Sequence, residues 1–230
     1  MSSSNKNAAS GGFSLVELLI AMAITMALMT AAATLLANAL RVRSRENQKS
    51  DALADVQRAL NIMSREIANA GFDLGNNGIV VADSNQNRLR IRSNFNRFEP
   101  DGGWTSTQME NVGEAQEDIT YFINDADNTK YLARHDLFGN GSSVLANRID
   151  SMNIHYFDQK VTYTALPNDD DITNVSAAEV VDKTTAKYIV IAVSVTLDEV
   201  GTFGSPGYQP PYSVLLCSDV TLRNTGLWSY

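Results

Sequence analysis

Glu17 is the only carboxylate in "GGFSLVELLIAMAITMALMTAAATLLANAL", residues 11–40. An ionised acid in an apolar run is costly in lipid, so it must be paired, protonated or held near an interface. Other residues that could do chemistry are scattered. Arg88, Arg90 and Arg92 alternate along "RLRIRSNFNRF", with Phe95 and Phe98 nearby, and basic residues interleaved with aromatics can grip single-stranded nucleic acid. Arginines on the wet face of an edge strand more often simply block aggregation, and that is the preferred reading. Asp169, Asp170 and Asp171 of "NDDD" and the acids of "NDADN", 124–128, offer oxygen ligands for calcium. An EF-hand loop begun at Asp125 fails, because Lys130 stands where glycine is required and Asp136 where a bidentate Glu is usual. The acidic runs are therefore read as solvated turns or, at most, a looser oxygen site.

Catalytic and cofactor chemistry find no support. Cys217 is the sole cysteine, which excludes an internal disulfide and any CxxC zinc or redox motif. Its parity opposes that of Val214 and Leu216, and it is read as a small apolar residue buried in a strand. His135 and His155 lie in no HExxH spacing and have no evident nucleophile, and are read as polar positions on a half-buried sheet. "GNGSS" and "GSPG" are not GxSxG, and no P-loop or dinucleotide fingerprint occurs. A non-enzymatic chain without a cofactor is expected.

The elements that must position Glu17 follow from the hydropathy pattern. The chain has 230 residues, 44% hydrophobic and 19% charged, which suits one globular domain with an appendage. Its net charge of -8 and pI near 4.7 repel nucleic acid and anionic lipid, so any such binding needs a local patch. Leu18 to Leu40 carries no formal charge and is long enough to cross a hydrocarbon core about 30 Å thick. A cleaved secretory signal would place its small residues after the apolar run, whereas Gly11 and Gly12 precede it. Leu53, Val56, Leu60, Met63 and Ile67 then recur at gaps of three and four, an amphipathic seam. No Pro or Gly interrupts residues 13–70, and Gly71 can cap the end. One helix about 85 Å long is expected.

After Gly71 the period becomes two. Strands are expected near 88–92, 119–124, 130–135, 149–157, 160–165, 188–197 and 214–222, paired antiparallel because no helical crossovers separate them. Polar loops are expected at 93–118, 166–186 and 199–211. The whole is α+β, with the helical seam packed across an antiparallel sheet.

The opening residues resemble the prepilin signature of type IV pilins and type II secretion pseudopilins: a short polar leader, Gly12, then Phe13, Ser14, Leu15, Val16, Glu17 and an apolar helix. That resemblance implies a pilin-like fold, cleavage between Gly12 and Phe13 by a prepilin peptidase, and N-methylation of Phe13 by the same enzyme. It implies pairing of Glu17 with the Phe13 amine of a neighbouring subunit, which sets register. The implied organisation is a leader at 1–12, a transmembrane and filament-core helix at 13–40, its amphipathic continuation at 41–71 and an extracytoplasmic β-rich domain at 72–230. The implied site is the bacterial inner membrane, single-pass with the carboxyl-terminal domain outside the cytoplasm, and later a pilus or pseudopilus. Arg41, Arg43, Arg45 and Lys49 follow the span and, taken naively, favour the opposite orientation; the family topology overrides them. Implied partners are other pilins or pseudopilins, the peptidase, an inner-membrane assembly platform and the bilayer; nucleic acid is not expected. Met26 and Thr34 stand where many major pilins have Gly and Pro, and one Cys cannot close the usual carboxyl-terminal loop. Both departures favour a minor subunit. "ALNIMSREIANAGF", "DITYFINDADNTKYLARHD", "LANRIDSMNIHYFD" and "VTLRN" resemble the W-type minor pilins, with J-type pseudopilins of type II secretion as close kin. The alternatives are therefore a minor pseudopilin or, from another class, a single-span tethered binding protein.

Overall fold

The computed structural model describes residues 13–95, 113–125, 130–139, 141–166, 170–205 and 207–225. A single helix, α1, runs unbroken from Leu15 to Ala68, about 80 Å at the standard rise. There is no interruption near Arg41 to Ser44, so the expected segments 13–40 and 41–71 are two halves of one element. Its lower half touches almost nothing. Its upper half buries Ala52, Val56, Ala59, Leu60, Met63 and Ile67. The seam is slightly rotated from expectation: Leu53 is only half-buried, while Ala52 and Ala59 let the sheet strands approach closely.

The helix packs against strands of two antiparallel sheets. The first has the order β1 (Arg88–Arg92), β2 (Asp118–Asn124), β3 (Tyr131–Asp136), β4 (Gly141–Asn147), a simple meander. The second has the order β5 (Ser151–Phe157), β8 (Tyr188–Leu197), β9 (Tyr212–Thr221). A small hairpin of β6 (Thr164–Leu166) and β7 (Asp171–Thr173) forms a third. The alternation alone suggests one continuous sheet; the division arises because β5 turns from β4 to pair with β8 instead. The long segment between β7 and β8 holds only a single turn of 3-10 helix, Lys183–Thr185.

β8 explains its own sequence. Tyr188 to Val195 is buried on both faces, which is why "YIVIAVSV" reads as a near-continuous apolar run. Ile189, Ile191 and Val193 meet the helix seam and Leu89, Tyr121 and Leu132 in the main core. Tyr188 and Val190 face the other way, where Phe157, Val161, Tyr163 and Ile172 cover them. Cys217 is half-buried in β9, opposite Ala192. Burial pushes its thiol up to about 11, so it stays protonated and unreactive at neutral pH.

The end of α1 is closed by the far end of the chain. The Arg223 amide donates to the Ala68 carbonyl at 3.2 Å. The Asn224 side-chain amide donates to both the Asn69 and Ala70 carbonyls at 3.1 Å. These are carbonyls that a helix end leaves unpaired. Asn224→Ala is expected to cost about 1–2 kcal/mol, read as a lower midpoint in denaturant with unchanged slope; no change would remove the capping role.

Candidate functional site

Phe13 precedes the helix and is 84% exposed, with Ser14 in extended geometry as the N-cap residue. The Ser14 carbonyl accepts the Leu18 amide at 3.1 Å. Glu17 lies in the first turn, where the partial positive charge of the helix end favours an anion. Among the described residues its carboxylate has no ion-pair or hydrogen-bond partner. Gly12 lies outside them.

From Phe13 to Ala37 every residue is exposed, and Asn38 is the first to be partly covered. Leu15, Leu19, Ile20, Ile24, Leu28, Leu35, Leu36 and Leu40 each leave more than half of their surface uncovered. About a dozen such side chains, at roughly 1.5–3 kcal/mol for full burial of each, represent on the order of 20 kcal/mol of unrealised hydrophobic free energy. That exceeds the whole stability of an ordinary domain, about 5–15 kcal/mol. The surface therefore requires lipid or other helices.

The polar groups within it are already satisfied locally. The hydroxyls of Thr25, Thr30 and Thr34 donate to carbonyls three or four residues back: Ala21 at 2.6 Å, Ala27 at 2.9 Å and Ala31 at 2.8 Å. In hydrocarbon, where no water can satisfy a hydroxyl, this arrangement is what a spanning helix needs. Ala23, Ala27 and Ala31 form an exposed row of small residues along which another helix can approach.

Residues 7–33 match the family model for the prokaryotic N-terminal methylation motif. The chain carries that motif. It implies processing by a prepilin peptidase, and it is a motif of structural subunits rather than enzymes. The matched residues take in the Gly12–Phe13 junction, Glu17 and the first part of the apolar helix. A long amino-terminal apolar helix packed on antiparallel sheets is a pilin-like architecture. No curated protein and no solved structure matches the chain.

Arg90 and Arg92 do not present free guanidinium groups. Arg90 Nε donates to Asp118 Oδ1 at 2.7 Å and its second nitrogen to Oδ2 at 2.8 Å, while Arg92 Nε reaches the same Oδ2 at 2.8 Å. Arg90 also pairs with Asp83, and Arg88 stacks over Phe122 at 5.7 Å. The expected ladder of arginines on a strand face is real, but two of its three members are clamped on one carboxylate that is 1% exposed. Phe98 lies outside the described residues.

Burial alone would push the Asp118 carboxyl up; the Arg90 guanidinium, and after it Arg92, outweigh burial and hold it below the ordinary carboxylate range. A carboxyl lowered on folding contributes stability that is complete above the unfolded pKa, about 3.9, and lost as the pH falls through the folded value. Asp118→Asn is therefore expected to cost about 3 kcal/mol at neutral pH. The gap between variant and parent should narrow in unfolding titrations carried below about pH 4. A gap independent of pH would mean that packing, not charge, sets the loss.

Asp170 has a positive φ of 56°, and its carbonyl accepts the Asn153 side-chain amide at 2.9 Å. Asp171 Oδ1 accepts from the Ile172 amide at 2.7 Å and meets His155 Nε2 at 2.6 Å, while His155 Nδ1 meets Glu179 Oε1 at 2.7 Å. Asp169 lies outside the described residues. Asp171 on the small hairpin is thus tied to His155 on β5 of the second sheet, and no group of three acids, histidines or cysteines among the described residues is arranged to hold a metal. His135 contacts the Ser142 hydroxyl at 3.0 Å.

One polar constellation escapes sequence reasoning. Glu66 of α1 accepts from the Tyr121 hydroxyl and from Arg134 Nε, the latter at 3.0 Å. Tyr121 and Arg134 are register partners on β2 and β3. Burial, and then the Glu66 charge, push the Tyr121 phenol well above its usual range, so it remains a donor. This network pins the helix to the first sheet. A glutamate among polar neighbours on the helix gives no sign of its distant partners.

Proposed function

We propose that the chain is a minor subunit of a type IV pilus, made as an inner-membrane precursor and used in pilus assembly or initiation. What supports this reading is the pairing of a wholly uncovered apolar half-helix with an unpartnered Glu17 at its start. The prepilin peptidase removes residues 1–12 and methylates the Phe13 amine. The new amine of one subunit then meets Glu17 of another. While the subunit is alone, the bilayer covers Phe13 to Leu40, with residues 72–230 outside the cytoplasm; in the filament, other pilin helices take the place of lipid. Assembly is thus an exchange of one apolar environment for another, directed by a single charge pair.

Intact-mass measurement of the membrane-fraction protein tests the first step. The expected species begins at Phe13 and carries one added methyl group. Retention of Met1 in cells with an active prepilin peptidase would overturn the reading and favour a tethered single-span protein.

A further inference from the structure

A strap of chain leads from β9 down the outside of α1 toward its apolar half. Tyr212 lies under the Lys49 ammonium, 5.2 Å from the ring centroid. The Pro210 carbonyl accepts a hydrogen bond from the Arg45 guanidinium. Gly207 comes so near the helix that a Cβ there would lie 2.7 Å from Asn38 Oδ1. The helix descends about 16 Å over the eleven residues from Lys49 to Asn38, and an extended strap of five residues reaches the same distance. These three contacts, Gly207 with Asn38, Pro210 with Arg45 and Tyr212 with Lys49, therefore describe one segment lying alongside the helix and parallel to it.

The lower end of the strap is where the chemistry changes. Counted from Leu18, about twenty helical residues cross a hydrocarbon core, which brings the far boundary to Asn38. At that level the loop turns back, its neck closed by the reciprocal pair Val200 N to Gln209 O at 3.0 Å and Gln209 N to Val200 O at 2.9 Å. Phe203 is 86% exposed and sits edge-on to Tyr208, centroids 5.4 Å apart. The Tyr208 hydroxyl donates to Glu199 Oε2 at 2.7 Å. An uncovered phenyl beside a tyrosine whose hydroxyl has a polar partner is the amphipathic arrangement that suits the boundary between hydrocarbon and headgroups. Exposed Arg41 and Arg43 stand on the adjoining turn, a local positive patch on an otherwise acidic chain.

We propose that the loop carrying Phe203 and Tyr208 is a membrane-contact element that inserts its aromatic pair into the lipid interface on the ectodomain side while the subunit resides in the bilayer. The proposal rests on the transmembrane placement of α1 under Proposed function. It gives the subunit a second hold on lipid besides the helix, and one that must be released when the subunit leaves for a filament.

The test uses the mature full-length chain in phosphatidylcholine vesicles, with the native tryptophans removed (W104F, W228F) and one reporter introduced. Phe203→Trp is expected to show blue-shifted emission, quenched about twofold more by lipids brominated near the headgroup than by lipids brominated near the chain end, as an interfacial ring requires. Tyr208→Trp provides an independent reporter with the same expectation, should the first variant fold poorly. Leu28→Trp, at mid-span, should be quenched best by the deep bromines. Quenching at position 28 with water-like, unquenched emission at 203 and 208 would overturn the loop proposal and leave the helix placement standing. Water-like emission at all three would overturn both. If 203 is silent in vesicles yet Phe203→Ser lowers recovery in sheared filaments, the loop contacts a neighbouring subunit instead, and the lipid proposal falls.

Discussion

Glu17→Ala is expected to leave cleavage of the leader intact and to cut incorporation into filaments by about 100-fold or more. Removing one member of a desolvated charge pair strands the other, at a cost of about 3–5 kcal/mol, and each 1.4 kcal/mol is tenfold in an equilibrium. In the proposed assembly, the stranded group is the Phe13 amine of the neighbour. None of the described residues compensates, since none of them pairs with Glu17. The measurement is the ratio of mature protein in sheared filaments to that in membranes, parent against variant, with intact mass confirming normal cleavage. Glu17→Gln separates charge from shape, because it keeps the size and loses the ion pair. Full incorporation of both variants would remove Glu17 from assembly.

Gly78→Ala is expected to be the most damaging single substitution in the globular domain. Gly78 has a φ of +76°. An added Cβ would lie 2.2 Å from the Gly71 amide nitrogen and 2.3 Å from the Arg92 carbonyl oxygen. Neither can withdraw: Gly71 N donates to Arg92 O at 2.9 Å, and Arg92 N donates to Gly78 O at 2.7 Å. The left-handed conformation alone costs an alanine about 1–2 kcal/mol. Backbone overlap adds to it, for a total of about 4 kcal/mol or more. In a domain of this size that lowers the thermal midpoint by about 10 °C or more, measurable by near-ultraviolet circular dichroism of the detergent-solubilised chain. A drop of a degree or two would mean that the turn from α1 into β1 is far more pliant than its hydrogen bonds indicate.

The helix and most strands are readable in the sequence because their periodicity is local. Val56, Leu60, Met63 and Ile67 repeat at helical spacing whatever they pack against, and Ile189 to Leu197 has β-branched density that suits only a buried strand. β4 is not readable in this way: "GSSVLAN" buries only Leu145 and Ala146 in succession, so alternation is lost where it pairs across the bulge at Leu132 and Ala133. β7 is hidden as well, because three residues in an acidic turn carry no pattern at all. The amino-terminal site is legible through motif, since residue types at 12, 13 and 17 precede an uncharged span. Partners set by folding are not. Asp118 is 28 residues from Arg90, Glu66 is 68 from Arg134, and Pro210 is 165 from Arg45; pairings of that kind leave no trace in the spacing of a single chain.

The uninterrupted course of α1 ties the azimuth of the globular domain to that of the lipid-facing surface. With 3.6 residues per turn, inserting one residue between Leu40 and Asp51 would swing the sheets by about 100° about the helix axis relative to Glu17 and the alanine row, whereas inserting seven would nearly restore their phase. The linker-like stretch of arginines is therefore a gear setting rather than a spacer, and its length matters more than its composition.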